Sequence, residues 1–460
     1  MKFAKYTLVL ALIVAIALPT MAGQKKTNLP QGAYIKSAKI SLYGVPPRYE
    51  EAKNYLDSVL FYYGPIPEAY FLRGNIYAEY ATREMDPIKK IDLYTTMTAN
   101  YDSMYAACEN NEVKKNLKND CSKYAKLIDS IRVFYWGDNY NNGVKTLERV
   151  DEEIMPKVKS NTDTLEMLSA IQELSGALDS AKLSFKIATV VDPKRYRAFE
   201  GLGLVFDRIK DFDSSIYYFE KASEIVPDTS RLVQNIAYCY IQKEDWNNAI
   251  KSFKKYLKFD PNNGSILFNI AISYNNLRET DSAYAYDLKT IAADPTMGGA
   301  FVDIGQYFLI RSQYFNDSVK FYKQANQNAE SDKFQKIRDA QLDSSAHYFS
   351  EAVKLEPENA LVLEQYGVVL TVLGRNTDAE KVFIKLSELE PFRKDHWMNL
   401  GYTYIQEQKF AEAIVPFEKA AEIDPGDAKI WEALKDLYTN NGSPEKAKVA
   451  EDKMNELNNL

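Results

Sequence analysis

The stretch WMNLGYTYIQEQKFAEAIVPFEKAAEIDP, residues 397–425, reads as two amphipathic helical segments joined by a short polar turn and closed by a proline. Leu400, Gly401 and Tyr404 lie within one turn of each other on one face of a first helix, and Ala413, Phe417 and Ala420 do the same on a second. A glycine inside a helix costs about 0.5–1 kcal/mol relative to alanine, so Gly401 implies that another helix comes close. Pro425 ends the second segment, because proline lacks the N–H that a continuing helix needs. Prolines recur at 193, 227, 261 and 295, and again at 357, 391 and 425, and every step within each run is 34 residues. Chance does not space seven prolines in this way, and a period of this length indicates stacked repeats, not separate domains.

Counted back from Pro425, the set Trp397, Leu400, Gly401, Tyr404, Ala413, Phe417 and Ala420 resembles the tetratricopeptide repeat, W-x2-L-G-x2-Y followed by A-x3-F-x2-A and a proline. The register holds from Pro227, with Phe199, Leu202, Gly203, Phe206, Phe219 and Ala222, and from Pro261, with Ile236, Ala237, Tyr240, Ala249 and Phe253. It holds from Pro391, with Leu363, Gly367, Ala379 and Phe383, and from Pro193, with Leu165, Leu168, Ala181, Phe185 and Ala188. The resemblance implies an all-α chain, a right-handed α-solenoid of antiparallel helix pairs forming a TPR superhelix of about 10–12 units.

The ruler sets the expected boundaries. Residues 161–427 read as the regular array, and 33–160 as an irregular version of it. In the irregular part Ala52 and Leu56 take second-helix positions, Tyr70, Gly74 and Tyr77 follow in step, and Asp86-Pro87 opens a long helix towards Cys108. YNNGVKTL (140–147) resembles WNNAIKSF (246–253), so a unit is expected to end near Pro156. Residues 428–460 read as a C-terminal cap, with Lys435 in place of the small residue and Glu451 in place of the phenylalanine. Between Pro295 and Pro357 the step is 62, which is 28 too long. An irregular or shortened extra repeat at 312–345, with an abbreviated first helix around Lys333–Gln341, is one solution; a protruding helical hairpin with its tip in NQNAES is the other. Pro416 inside a second helix removes a hydrogen bond to the Glu412 carbonyl, and a kink is expected there.

Lys2 and Lys5 precede the apolar run Tyr6–Leu18, and Ala22 stands where a signal peptidase cuts, so residues 1–22 read as a signal peptide. Export to the periplasm or beyond is expected, with no membrane span after cleavage. No cysteine lies near that site to carry a lipid. Loss of the two lysines takes the formal charge from −7 to −9, which disfavours nucleic acid or an anionic membrane surface as the main partner. Three cysteines in 460 residues are too few for a disulfide framework. Cys108 and Cys121 can pair if a turn near Lys115 brings their Cα atoms within about 7 Å.

The chain offers little for catalysis, and no enzyme, metal or cofactor is expected. His347 and His396, the only histidines, lack metal-ligand spacing and read as surface or half-buried side chains. GLGLVF (201–206) lacks the third glycine of a dinucleotide fingerprint, and its second glycine falls on the repeat register. Asp-Ser or Asp-Thr before an apolar residue occurs at Asp57, Asp102, Asp129, Asp163, Asp179, Asp281 and Asp317. These triplets read either as starts and caps of second helices or as acceptors for O-linked glycans, since similar triplets serve so in some Gram-negative envelope proteins.

The resemblance also implies a binding face, the concave side lined by first-helix positions offset from the core stripe. In this sequence those candidates are Arg197, Glu200, Gln234, Tyr238, Ile241, Phe268, Asn275, Gln306, Met398 and Tyr402. The family's carboxylate clamp is not recognisable among them. The function this implies is a non-enzymatic scaffold of the bacterial cell envelope that binds protein or peptide segments. Alternatives are an envelope glycan-binding protein like the SusD-like proteins, or an accessory subunit of an outer-membrane assembly or secretion complex. An enzyme built on helical hairpins, as in lytic transglycosylases, would need a catalytic glutamate in a non-repeat domain, and none is evident.

Overall fold

A computed structural model describes residues 29–110, 118–160, 163–227 and 229–458; the expected signal peptide lies outside the described residues. The described chain is helical throughout and falls into two compact units, one ending at Ile209 and the other beginning at Lys210.

The first unit contains α1 (Gln31–Tyr43), α2 (Tyr49–Tyr63), α3 (Pro67–Arg83), α4 (Pro87–Glu109), α5 (Lys118–Arg149), α6 (Met155–Ser160), α7 (Thr164–Val191) and α8 (Tyr196–Ile209). Asp86 caps α4 as expected, its carboxylate accepting the N–H groups of Ile88 and Lys89 at 2.9 Å. Ala52 and Leu56 are fully buried. Gly74 lies under the ring of Tyr101, whose hydroxyl donates to Asn75 Oδ1 at 2.7 Å. Cys108 and Cys121 are joined by a disulfide, their Cα atoms 5.9 Å apart.

Two expectations for this unit are corrected. The unit expected to end near Pro156 runs on to Ser160, because α5 passes through a π-helical turn, Val150–Ile154, straight into α6. The Met155 N–H reaches back five residues to the Val150 carbonyl, and the next residue is the proline, which has no N–H to place. Leu165 and Leu168 do not belong to a first helix either. They sit in the opening turns of the single long helix α7 and are 79% and 55% exposed. The buried ring of Phe185 packs instead on Gly143 of α5 and Gly201 of α8, where an added Cβ would come within 2.7 and 2.5 Å of it. After the long helices α4, α5 and α7, helices of ordinary repeat length resume at α8.

The second unit opens with α9 (Phe212–Ile225) and continues in pairs: α10 (Ser230–Gln242) with α11 (Trp246–Tyr256), α12 (Gly264–Asn276) with α13 (Thr280–Ala293), and α14 (Gly298–Gln324) with α15 (Asn328–Leu355). Then come α16 (Ala360–Val372) with α17 (Asn376–Leu389), α18 (Lys394–Gln406) with α19 (Phe410–Ile423), and α20 (Ala428–Asn440) with α21 (Pro444–Asn458). The core of the α10–α11, α16–α17 and α18–α19 pairs is a phenylalanine from the second helix laid on a small residue of the first. Phe253, Phe383 and Phe417 are at most 1% exposed, and an added Cβ on Gly401 would stand 2.5 Å from the Phe417 ring. The Trp397 and Trp431 indoles donate to the Pro391 and Pro425 carbonyls at 2.9 Å, so the tryptophan of one repeat is tied to the proline of the repeat before.

The turn inside each pair has one geometry. Glu244, Arg278, Gly374, Gln408 and Gly442 have positive φ. The residue after each returns its N–H to a carbonyl five positions earlier at 2.9 Å, for example Lys409 to Tyr404 and Ser443 to Tyr438, which satisfies a helix-end carbonyl.

The same turn explains the long step. Asn326 has φ 57°, and Gln327 N–H bonds to the Tyr322 carbonyl at 2.9 Å, so the ordinary turn has moved outward along lengthened helices. Phe349 packs on Gly305, and α15 is continuous from Asn328 to Leu355. The expected abbreviated helix at Lys333–Gln341 is therefore absent; residues 312–345 extend one repeat into a long hairpin. Each helix gains 14 residues, about 21 Å at 1.5 Å per residue. Stacked rings of Tyr322 and Phe334, 5.2 Å apart, and a Ser331 hydroxyl donated to the Val319 carbonyl at 3.3 Å hold the hairpin together. The helix α19 continues through Pro416.

Gly401→Leu is expected to overpack Phe417 and cost about 1–3 kcal/mol, read as a lower melting temperature; an unchanged melt would refute the contact. Denatured, unreduced protein should titrate one thiol, that of Cys239. Three thiols would refute the Cys108–Cys121 bridge.

Candidate functional site

In the second unit the first helices α10, α12 and α14 share a face tied together by amides and one phenol. Gln234 Nε2 and Asn269 Nδ2 donate to the Tyr238 hydroxyl at 3.3 and 3.4 Å, and Asn275 Nδ2 donates to Asp303 Oδ2 at 3.1 Å. Tyr238, Asn275 and Gln306 are exposed on this ribbon and Gln234 is half-buried. Each hydrogen bond joins polar groups at or near the surface, so the face is ordered before any partner arrives.

The remaining candidates divide. Arg197 is exposed on α8. Tyr402 is exposed, edge-on to Phe417 with ring centres 5.1 Å apart, and it lines a cleft of about 500 Å³ with Ile405, Phe410 and Lys429. Met398 is half-buried against the last core cluster. Glu200 is corrected: at 5% exposure it cannot reach a partner. Phe268 and Ile241 are spent largely on packing, Phe268 over Gly299 and Ile241 against the cluster around Phe253. His396 is also corrected, because it is fully buried with Nε2 2.8 Å from Glu390 Oε2. His347 is exposed. Of the seven Asp-Ser/Thr triplets, Asp163 is an N-cap, accepting from Leu165 and Glu166, and Asp281 lies in the first turn of α13; the other five are inside helices.

The core of the α12–α13 pair holds one group that the candidate set misses. The residue eight before each ruler proline is Phe185, Phe219, Phe253, Phe349, Phe383 or Phe417, but before Pro295 it is Asp287. The register alone could have found it. Asp287 is 1% exposed, and its Oδ1 has no hydrogen-bond partner among the described residues. Burial, reinforced by the charge of Asp303, pushes its carboxyl up to about 8. Burial also raises Asp303, against the opposing hydrogen bond from Asn275. The Asp303 carboxyl is thus close enough for its charge to act on the buried Asp287. Among the described residues no group of three or more His, Cys, Asp or Glu is placed to hold a metal ion, and no helix is long and apolar enough to cross a membrane.

Residues 230–263 and 372–428 match family models described as tetratricopeptide repeats. These two stretches of the chain are tetratricopeptide repeats. Repeats of this kind form scaffolds for protein–protein interaction. Solved structures similar to the chain include YrrB, a TPR protein with an unusual peptide-binding site, at 20% identity over 45% of this chain and 93% of that one, with a TM-score of 0.36. MamA matches at 20% identity over 44% of this chain and 96% of that one, TM-score 0.33. A tetratricopeptide repeat protein from Parabacteroides merdae matches at 16% identity over 65% of this chain and 99% of that one, TM-score 0.35. No curated protein sequence matches the chain.

The raised carboxyl makes stability depend on pH with a definite sign. Unfolded, Asp287 loses its proton near 3.8; folded, it keeps it to about 8. Its neutral form therefore contributes fully below the lower value, and the contribution fades as pH rises to the upper one. Against Asp287→Asn, which stays neutral, the wild type should lose on the order of a few kcal/mol between pH 4 and 8 and then level off. Parallel melting curves across that range would exclude the buried carboxyl.

Proposed function

We propose that this protein is a non-enzymatic scaffold of the bacterial cell envelope that holds an extended segment of a partner protein along the α10–α12–α14 face. The observation that carries the reading is the ribbon itself. Gln234, Tyr238, Asn269, Asn275 and Asp303 present donors and acceptors in a row, fixed by their own hydrogen bonds. An extended segment has unpaired backbone N–H and C=O groups, and preordered amides satisfy them with little loss of side-chain entropy. Tyr238 adds a rigid ring with a polar tip, the kind of side chain that dominates binding energy at interfaces. Export is supported by the leader-like run before Ala22 and by the Cys108–Cys121 bridge, since disulfides persist in oxidising compartments.

Photo-crosslinking residues placed at Asn275 or Gln306 test the groove, with Lys255 on the second helix α11 as the outside control. Crosslinks from the two groove positions should map to one short linear segment of a single envelope protein. Equal capture from Lys255, or none from the groove, would overturn the reading.

A further inference from the structure

We propose that Asp303, with Asp287 behind it, forms a subsite that receives a lysine or arginine side chain of the bound segment. This deepens the groove reading and rests on it. The first support is the register. Phe253 packs with Ala237 in the preceding repeat and Ala271 is the corresponding residue here, so the register calls for a phenylalanine at position 287. The repeat nevertheless carries a carboxyl in its core, and a break in an otherwise consistent local rule marks a functional site more often than an accident. The second support is the unmet acceptor: Asp287 is 1% exposed and its Oδ1 has no partner.

Charge balance points to what is missing. Elsewhere in the unit acidic groups that bridge repeats are paired: Asp343 with Arg375 at 2.7 Å, Glu380 with Lys409 at 2.9 Å, and Asp424 and Asp427 with Lys394 at 2.6 and 2.8 Å. Asp287 and Asp303 have no lysine or arginine partner among the described residues; Asn275 on α12 donates to Asp303 Oδ2. Asp303 is half-buried and stands one turn before the exposed Gln306, so a cation reaches it from the ribbon. An ammonium or guanidinium group brings hydrogen-bond donors to the half-buried Asp303, and its charge acts on Asp287 behind it. Two carboxyls and an amide N–H make a poor metal cage, whereas they suit a donor-rich side chain.

Pentalysine is the probe, with calorimetry on the full chain at low salt. Asp303→Asn and Asp287→Phe should each weaken its binding by about tenfold or more, and Asp317→Asn, which removes an exposed carboxylate on the long hairpin, by less than about twofold. Asp287→Phe should also melt above the wild type, so its loss of binding cannot be a loss of fold. Absence of binding to the wild type, equal binding by all four proteins, or equally tight pentaglutamate binding would overturn the subsite. If groove crosslinks persist while pentalysine affinity does not respond, the subsite alone fails. If crosslinks are absent while the pentalysine effects hold, the segment-binding reading fails and the cation site stands.

Discussion

A phenylalanine ring laid on helix backbone that a glycine has bared is the contact on which the repeats depend. Gly367 lies under Phe383 and Gly401 under Phe417, each pair 16 residues apart. That separation is exhausted by the rest of a first helix, a turn with one left-handed residue, and the first turns of a second. Each buried ring is worth about 1.5–3 kcal/mol, and sliding either helix would lift it off its glycine. The recurrence of 34 follows, since the next proline must fall a fixed distance beyond the ring to start the next helix. The long hairpin obeys the same constraint. Gly305 and Phe349 still meet across the larger gap because both helices grew by 14 residues, close to four turns of 3.6, and so kept their faces. An insertion confined to one helix would have broken the contact.

This constraint also explains what was legible in the sequence. Glycine, phenylalanine and proline have few substitutes in their roles, so the regular pairs from α10 onward could be read from letters alone. The left-handed turn could not, because Glu244, Arg278 and Gln408 occupy it as well as Gly374 and Gly442; the Schellman hydrogen bond offsets the modest strain of a side chain there. Equal growth of two helices leaves no breaker residue, and so α14 and α15 carried no mark of where the arm turned except Asn326. The error at Leu165 and Leu168 has a related origin. They match the register but are exposed, because Phe185 takes its glycines from α5 and α8 instead. In the first unit Tyr101 fills the ring's place over Gly74, and a buried tyrosine needs a partner such as Asn75, so the pattern blurs.

The face that could carry function was legible as positions but not as interactions. Offsetting from the core stripe located Tyr238, Asn275 and Gln306, while packing buried Glu200 and laid Phe268 over Gly299. Register fixes which way a side chain leaves its helix; it does not fix how near the next helix stands.

Asp287 inverts the usual relation between pattern and function. The positions that matched the repeat best, Trp397, Leu400, Gly401 and Tyr404, carry structure. The position that departs from it most holds a carboxyl that burial penalises at every pH where it ionises. A repeat array tolerates this locally, because its stability is nearly a sum of units and nearest-neighbour contacts, and flanking rings at Phe253 and Phe349 remain in place. The weak unit therefore sits between two strong ones, where a loss of core contact can be confined to a single groove position without unfolding the rest.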